Sequence, residues 1–206
     1  MRVVLAVLAS MFPALALADG GDLTIRFAPG AVGAYAPSTG AGSLDVVVMF
    51  GAETPPFGPT PCSGFSLAFA NDPLLVAPVG AEPIGVLASI NGGAGPEFFA
   101  IEIFGDGIAV GCLTSLQGVS TLQFPPDTAV VAVSYAVGGL SLVGSSTGTS
   151  TQLTWQTVGT SPPYTNFVLY GDGYAPLVLV SGEFPLLPRS PFRRGDVKWR
   201  LDGRHR

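Results

Sequence analysis

The stretch PEFFAIEIFGDGIAVGCLTS, Pro96–Ser115, has the pattern of a β-hairpin and decides the fold class of the chain. Apolar residues dominate Phe98–Phe104 and Ile108–Leu113, and Gly105-Asp106-Gly107 separates the two runs. An Asp-Gly pair supplies the positive φ angles that a tight hairpin turn needs. The pattern returns in LYGDGYAP, residues 169–176, which indicates reuse of one turn rather than a duplicated domain.

Short apolar runs between turn residues recur along the rest of the chain. In FSLAFANDP, Phe65–Pro73, large apolar residues alternate with Ser and Ala, so one face of a strand should be buried. The 28 glycines and 19 prolines interrupt any long helix, and 48% of residues are hydrophobic, which is too apolar for a disordered chain. IGVLASINGG, Ile84–Gly93, is predicted to be a strand that ends in a glycine turn. The fold class is therefore all-β, a two-sheet antiparallel β-sandwich of about nine or ten strands.

The first twenty residues, MRVVLAVLASMFPALALADG, have the layout of a secretory signal. Arg2 precedes an apolar stretch, and Ala16-Leu17-Ala18 provides small residues for cleavage. A membrane anchor is the alternative, but the apolar stretch is short for a span of ~20 residues. We expect a signal peptide at 1–18, one β-sandwich domain at 19–187, and a proline linker with a basic tail at 188–206. The mature protein should be secreted or lie at the cell surface, with no integral membrane span.

Charge is divided sharply between the body and the tail. Residues 19–188 hold twelve acidic residues and one basic residue, Arg26, which gives a formal charge of −11. Residues 189–206 hold seven basic and two acidic residues, which gives +5. An acidic body repels a phosphate backbone, so no nucleic-acid partner is expected. The tail is interpreted as a solvated end, with contact to an anionic surface as the alternative.

The two cysteines, Cys62 and Cys112, favour one disulfide, because an exported protein folds in an oxidising environment. Such a bridge would close a loop of about fifty residues and stabilise the fold by about 4 kcal/mol. The alternative is a pair of buried free thiols.

The residues that most enzymes and zinc sites need are missing from the domain. The single histidine is His205, in the tail. A Ser-His-Asp or Cys-His arrangement is therefore excluded inside the domain, as is a zinc site of histidines or four cysteines. No glycine-rich nucleotide motif follows a strand and opens a helix. We do not expect an enzyme.

Paired carboxylates need separate consideration, because glycoside hydrolysis uses two of them. Glu102 shares a strand face with Phe98, Ala100 and Phe104, which would place a carboxylate in an apolar setting. The simpler interpretation is a set of scattered solvent-exposed acids: Glu97, Glu102, Asp106, Asp127, Asp172 and Glu183.

Two further patterns indicate ligands only weakly. The FGDG and YGDG loops offer oxygen ligands for calcium, but each has one carboxylate and a hairpin turn explains it. We therefore expect no cofactor, with calcium as the alternative. Exposed aromatic rings would suit a sugar, although ordinary core packing explains them more simply; the candidates are Trp155, Tyr164, Tyr170 and Tyr174.

Two stretches carry a resemblance to a known family: SLDVVVMFGAE, 43–53, and CSGFSLAFANDPLLVAPVGAE, 62–82. Their order of an apolar strand, a glycine, an F-x-L-x-F strand, an Asp-Pro turn and a further strand resembles the front half of a cohesin domain. AVVAVSYAVGG, 129–139, is similar to a later cohesin strand. The resemblance covers roughly 44–184 and implies a jelly-roll-like sandwich, a type shared with some carbohydrate-binding modules. It also implies that the leucine after Asp72-Pro73 fills the space between the sheets.

The tail carries a second resemblance. FRRGDVKWRLDG, Phe192–Gly203, is similar to the start of the dockerin-like segment that follows a cohesin-like sandwich in a group of exported bacterial proteins. A dockerin calcium loop beginning at Asp196 would place Lys198 and Arg200 at its third and fifth positions, and neither can bind calcium. Our hypothesis is a dockerin start damaged by a frameshift or early stop. The alternative is a native basic tail.

Taken with the missing catalytic residues, the cohesin resemblance implies a non-catalytic exported module that binds a dockerin-like protein module. An acidic body suits a partner with a basic face, and added salt would weaken that contact. The alternatives are a carbohydrate-binding module that recognises polysaccharide and a structural surface protein.

Overall fold

The computed structural model describes residues 23–52, 61–115, 122–123, 127–140, 149–159, 163–170, 173–174 and 177–189. The expected signal peptide and nearly all of the expected tail lie outside these residues, so the domain boundaries stay predictions. Within the described part of the chain, no helix is both long and apolar enough to cross a membrane.

The described residues form strands with one short helix, which confirms the all-β fold class. The elements are β1 Leu23–Phe27, β2 Gly33–Tyr35, β3 Gly42–Ala52, β4 Pro61–Asn71, β5 Val76–Pro83, α1 Gly85–Gly93, β6 Phe98–Phe104, β7 Gly107–Leu113, β8 Leu122–Gln123, β9 Thr128–Val137, β10 Thr149–Trp155, β11 Phe167–Tyr170, β12 Gly173–Tyr174, β13 Leu177–Val180 and β14 Gly182–Pro188. The predicted hairpin is β6 and β7, which pair antiparallel from Phe98↔Leu113 to Phe104↔Gly107.

The strands are arranged in two layers that join into one nearly closed sheet. The first layer has the order β5-β9-β3-β1-β13. The second has the order β6-β7-β4 and continues on the other side of β4 through β10 and β11. Strands β14 and β2 connect the layers, because β14 pairs with both β10 and β2, and β2 pairs with β3.

Two pairings are parallel, which differs from the purely antiparallel sandwich that we predicted. β13 lies parallel to β1, and the end of β14 lies parallel to β2. Each pairing joins a strand from the start of the domain to a strand from its end. No short turn links such distant strands, so they are not forced to run in opposite directions.

Residues Ile84–Gly93 contain helix α1, so the predicted strand is wrong. Leu87 is fully buried, and Val86 and Ile90 pack against the core. The spacing of these three residues places them on one helical face, a period that the following glycines obscured. The helical backbone is interrupted within α1 from Ile90, where ψ is 166°, and Asn91 follows with a left-handed φ of 54°.

The core lies between the two layers and follows the predicted alternation of β4. Phe65, Leu67 and Phe69 are at most 2% exposed. Ala68, on the opposite face of β4, is also fully buried. Both faces of this strand are therefore covered, which the alternation alone did not predict.

The turn after β4 forms as the cohesin resemblance implied, but its leucines are placed differently. The backbone carbonyl of Asp72 accepts hydrogen bonds from the N–H groups of Leu75 and Val76 at 3.1 and 3.0 Å. Leu74, directly after Asp72-Pro73, is 78% exposed, whereas Leu75 packs against the core. The residue that fills the space is thus one position later than expected.

Cys62 and Cys112 are buried free thiols, so the predicted disulfide is not formed. Cys112 on β7 lies opposite Phe65 on β4, three residues from Cys62. Burial raises the pKa of Cys62 from 9.0 to about 12. Burial, together with the nearby Cys62, also raises the pKa of Cys112. Both thiols should therefore be unreactive.

Candidate functional site

A shallow polar groove crosses the outer face of the second layer, where β4, β10 and β14 meet. Its volume is about 470 Å³. We call it the β10 groove, and its lining residues are Ala70, Asn71, Asp72, Ser150, Thr151, Gln152, Thr154, Gln156 and Glu183.

The alternation of TSTQLTW in β10 produces the polar row of this groove. Ser150, Gln152 and Thr154 are exposed, and the residues between them are buried. The register then adds a flank on each side, because Thr154 lies opposite Ala70 on β4 and Gln152 lies opposite Glu183 on β14. Hydroxyl and amide side chains are thus held in a line on a regular strand, where their spacing is fixed by the backbone.

Both charged side chains that line the groove are acidic. Glu183 accepts a hydrogen bond from the Ser150 hydroxyl at 2.5 Å, and Asp72 accepts one from the backbone N–H of Leu74 at 2.9 Å. No lysine or arginine occurs in the sequence from Phe27 to Pro188, so the strands that line the groove supply no basic side chain. The arrangement suits lysine or arginine side chains, which are hydrogen-bond donors, and it disfavours anions.

Trp155, one of the four aromatic candidates for sugar binding, lies beneath the groove and not on its surface. Only 8% of Trp155 is accessible. Its ring stacks on Phe27 at 4.8 Å between centroids and meets the ring of Phe69 edge-on at 4.9 Å. Its indole N–H donates to the Val180 carbonyl at 2.9 Å. The side chain is a core residue, and it has no open ring face for a sugar.

Tyr164 is also buried, at 7% exposure, and belongs to a second cluster on the outer face of the second layer. We call this the outer cluster; it comprises Ala68, Ala70, Ala100, Ala109, Val158 and Tyr164. The Tyr164 hydroxyl donates to Glu102 Oε2. Phe98 and Phe104, on the same face of β6, pack against the cluster. Glu102 therefore lies in the apolar setting that its strand position predicted, with a hydroxyl as partner.

Asn166 holds the segment that covers the outer cluster. β10 pairs with β4 from Phe69 to Asn71, and β11 pairs with β4 up to Ser66, which leaves Leu67 and Ala68 between them. The Asn166 side chain fills this gap: Oδ1 accepts from the Ala68 N–H at 2.7 Å, and Nδ2 donates to the Ala68 carbonyl at 2.9 Å. One amide side chain thus replaces a missing strand residue.

The other two aromatic candidates are less fully described. The Tyr174 side chain is half-buried, and its ring lies edge-on to Phe167 at 5.6 Å between centroids. The Tyr170 side chain lies outside the described residues, although its backbone pairs with Cys62 and with Gly173. A binding role for Tyr170 and Tyr174 stays a prediction.

No family model matches the sequence, and no curated protein matches it. Solved structures do resemble the fold. A chain from the Coh-OlpC type I cohesin–dockerin complex of Clostridium thermocellum is 14% identical with a TM-score of 0.60, over 85% of this chain and 99% of that one. The seventh ScaB type I cohesin of Pseudobacteroides cellulosolvens is 10% identical with a TM-score of 0.55, over 90% and 99%. A cohesin module from a Clostridium perfringens family 33 glycoside hydrolase is 13% identical with a TM-score of 0.51, over 82% and 98%.

The domain has a cohesin-like fold. The structural similarity establishes the fold alone, because the sequences are only 10–14% identical. What the cohesin-like domain binds must therefore be argued from its own surface.

The acidic residues of the cohesin-like domain are dispersed. Within the described residues, no three His, Cys, Asp or Glu side chains gather where they could hold a metal ion. Asp127 forms an ion pair with Arg26 at 2.8 Å, and Asp106 lies in the β6–β7 turn. Asp172, in the YGDG loop, lies outside the described residues, so calcium binding there stays a prediction.

The groove of the cohesin-like domain was missed by sequence reasoning. TSTQLTW carries a local signal, because polar residues alternate with apolar ones. The signal shows that one face of β10 is exposed, but not which neighbours flank it. Glu183 is 33 residues from Ser150 and meets it only through the β10–β14 register.

Proposed function

We propose that the cohesin-like domain is a non-catalytic module that binds another protein module at the β10 groove. The observation that supports this most directly is the row Ser150, Gln152 and Thr154, exposed on a regular strand and flanked by Asp72 and Glu183. Solved neighbours include cohesins in complex with dockerins. A dockerin-like module is therefore the class of partner that we propose.

The charge of the groove indicates what the partner presents. Asp72 and Glu183 have no basic neighbour among the groove residues, and residues 19–188 carry a formal charge of −11. Lysine or arginine side chains on the partner would complement this surface and speed association. Because exposed charges are screened by salt, the affinity should fall as ionic strength rises.

The polysaccharide alternative has less support than it had from the sequence. It depended on exposed rings, and Trp155 and Tyr164 are each less than a tenth exposed. Among the residues that the structure describes, the groove is lined by aliphatic and polar side chains and by no aromatic ring. We therefore do not propose polysaccharide binding, and the experiment below checks for it.

We also propose that the protein acts outside the cell. The signal-like residues 1–18 motivate this placement. Fractionation of the native organism, with the mature N-terminus read by mass spectrometry, would check it. A chain that retains residues 1–18 in the cytoplasm would contradict it.

The proposed function is tested by titrating the purified mature protein with calcium-loaded dockerin modules encoded in the same genome, using biolayer interferometry. We expect one module to bind the wild type, and Asp72→Asn combined with Glu183→Gln to raise Kd by about tenfold. Glu82→Gln, an exposed acid on β5 outside the groove, is the matched control and should change Kd less than about twofold.

Raising the salt from about 50 mM to about 500 mM should weaken the wild type more than the double variant. Two results would contradict the proposal: no dockerin binds, or the double variant binds as the wild type does. Cellulose and chitin pull-downs run in parallel, and retention there would favour the sugar alternative.

A further inference from the structure

Strand β6 is the end strand of the second layer, and β5 of the first layer lies near it without pairing to it. β6 pairs with β7 along its whole length, and within the described residues no strand pairs with its other side. Ile101 and Ile103 on this strand are 38% and 48% exposed. Natural edge strands are usually protected by lysine, proline, a bulge or extreme shortness. β6 reads FFAIEIF, spans seven residues in unbroken register and contains no lysine, proline or bulge; its single charged residue is Glu102.

We propose that β6 pairs antiparallel with β6 of a second copy of this chain, about a two-fold axis through Ile101. The pairing places Phe98 opposite Phe104 of the second copy, Phe99 opposite Ile103, and Ala100 opposite Glu102. Ile101 lies opposite its own counterpart. The contact is isologous, so it closes as a dimer and does not propagate.

The sequence of β6 favours this register over its neighbours. An axis through Ile101 pairs all seven residues and opposes the single charged residue, Glu102, to a small apolar one. An axis through Glu102 would set two carboxylates directly opposite each other, which is destabilising, and would leave Phe98 and Phe99 without partners. Charge and strand length thus select the same axis.

The apolar side chains of β6 also match across the axis. Phe99, Ile101 and Ile103 share one face of the strand, because successive side chains alternate. In the dimer, the three from each copy form a continuous apolar row that covers the exposed parts of Ile101 and Ile103. The opposite face continues the outer cluster, so Glu102 keeps the Tyr164 hydroxyl as its partner.

The contact is small, and the two copies repel each other. One strand pair buries less than the ~1,200–2,000 Å² of a standard interface, so we expect a dissociation constant on the order of 10–100 µM. Each chain has a formal charge of −5, so salt should strengthen the dimer by screening this repulsion. This dependence is opposite to the one expected for a basic partner at the β10 groove.

Sedimentation velocity on the purified mature protein, from about 1 to about 200 µM, tests the proposal across the expected range. The wild type should dimerise reversibly, and Ile101→Lys should stay monomeric because it opposes two lysines on the axis. Leu179→Lys is the matched control, since Leu179 is 37% exposed on a different edge strand, β13, and it should dimerise as the wild type does. A monomeric wild type, a dimeric Ile101→Lys variant, or a Leu179→Lys variant that fails to dimerise would overturn the proposal.

A crosslinking variant keeps the proposal testable if Ile101→Lys unfolds, which circular dichroism would reveal. Residues directly opposite in an antiparallel pair have Cβ atoms about 4.5–5.5 Å apart. Ile101→Cys should therefore form a disulfide-linked dimer under mild oxidation, while Ile103→Cys, opposite Phe99, should not. The native Cys62 and Cys112 are buried and should not contribute. Equal crosslinking of the two variants, or none, would refute the axis through Ile101.

Discussion

Replacing Asn166 with alanine tests whether one side chain completes the hydrogen bonding of β4. Asn166→Ala removes two hydrogen bonds to Ala68, of 2.7 and 2.9 Å. Ala68 is fully buried, so its N–H is left without a partner, while its carbonyl keeps the hydrogen bond from the Gln156 N–H at 3.2 Å. Each lost bond costs about 1 kcal/mol, and the unpaired buried N–H brings the total loss to about 2–4 kcal/mol.

Urea unfolding followed by tryptophan fluorescence measures this loss, because Trp155 is buried in the native state. The midpoint of thermal unfolding should fall by roughly 5–15 °C for a domain of this size. Asn166→Asp keeps the acceptor for the Ala68 N–H and loses the donor, so it should lose less stability than alanine at neutral pH.

Gln152→Ala is the control for these variants, because Gln152 is exposed on β10 and its loss should cost less than about 0.5 kcal/mol. If Asn166→Ala is no more damaging than Gln152→Ala, the inference that Asn166 substitutes for a strand residue is refuted.

Three further predictions concern the core and the sheet. Because the pKa of Cys62 is raised from 9.0 to about 12 by burial, the folded state keeps a proton that the unfolded state loses, so stability should fall by about 1.4 kcal/mol per pH unit above pH 9. Cys62→Ala should remove that part of the slope in urea melts; an unchanged slope would contradict it. Trp155→Phe loses the hydrogen bond to the Val180 carbonyl and should cost about 1–2 kcal/mol, and calorimetry showing no loss would count against the buried position. Gly42→Ala would place a Cβ 1.9 Å from the Ala34 carbonyl oxygen, so β2 should separate from β3. The amide hydrogen of Ala34 should then exchange faster than in the wild type, and an unchanged exchange rate would contradict the prediction.

Sequence patterns predicted the elements whose signals are local. The β6–β7 hairpin and the alternation of Phe65, Leu67 and Phe69 are read from neighbouring residues, and both are confirmed. Helix α1 was missed because its apolar face spans only five residues, from Val86 to Ile90, before the glycines begin. A period of 3.6 is hard to distinguish from other patterns over so short a window.

Features that depend on register between distant strands could not be predicted. The cysteine pair looked suitable for a disulfide, but the β4–β7 register sets Cys112 opposite Phe65. The face of Trp155 was undecided from sequence, and its burial follows from pairing with Phe69 on β4. The β10 groove could not be predicted for the same reason, because it exists only where three separate strands meet.

The parallel pairing of β13 with β1 has a consequence for how the protein folds. Leu23 acquires its neighbour Leu177 only after more than 150 intervening residues have been synthesised. Contacts this far apart in the chain slow folding, because loop-closure entropy is lost before they form. The N-terminal strands should therefore stay exposed to chaperones and proteases until residues 177–188 have emerged, and any chain that stops before them should be degraded and not folded.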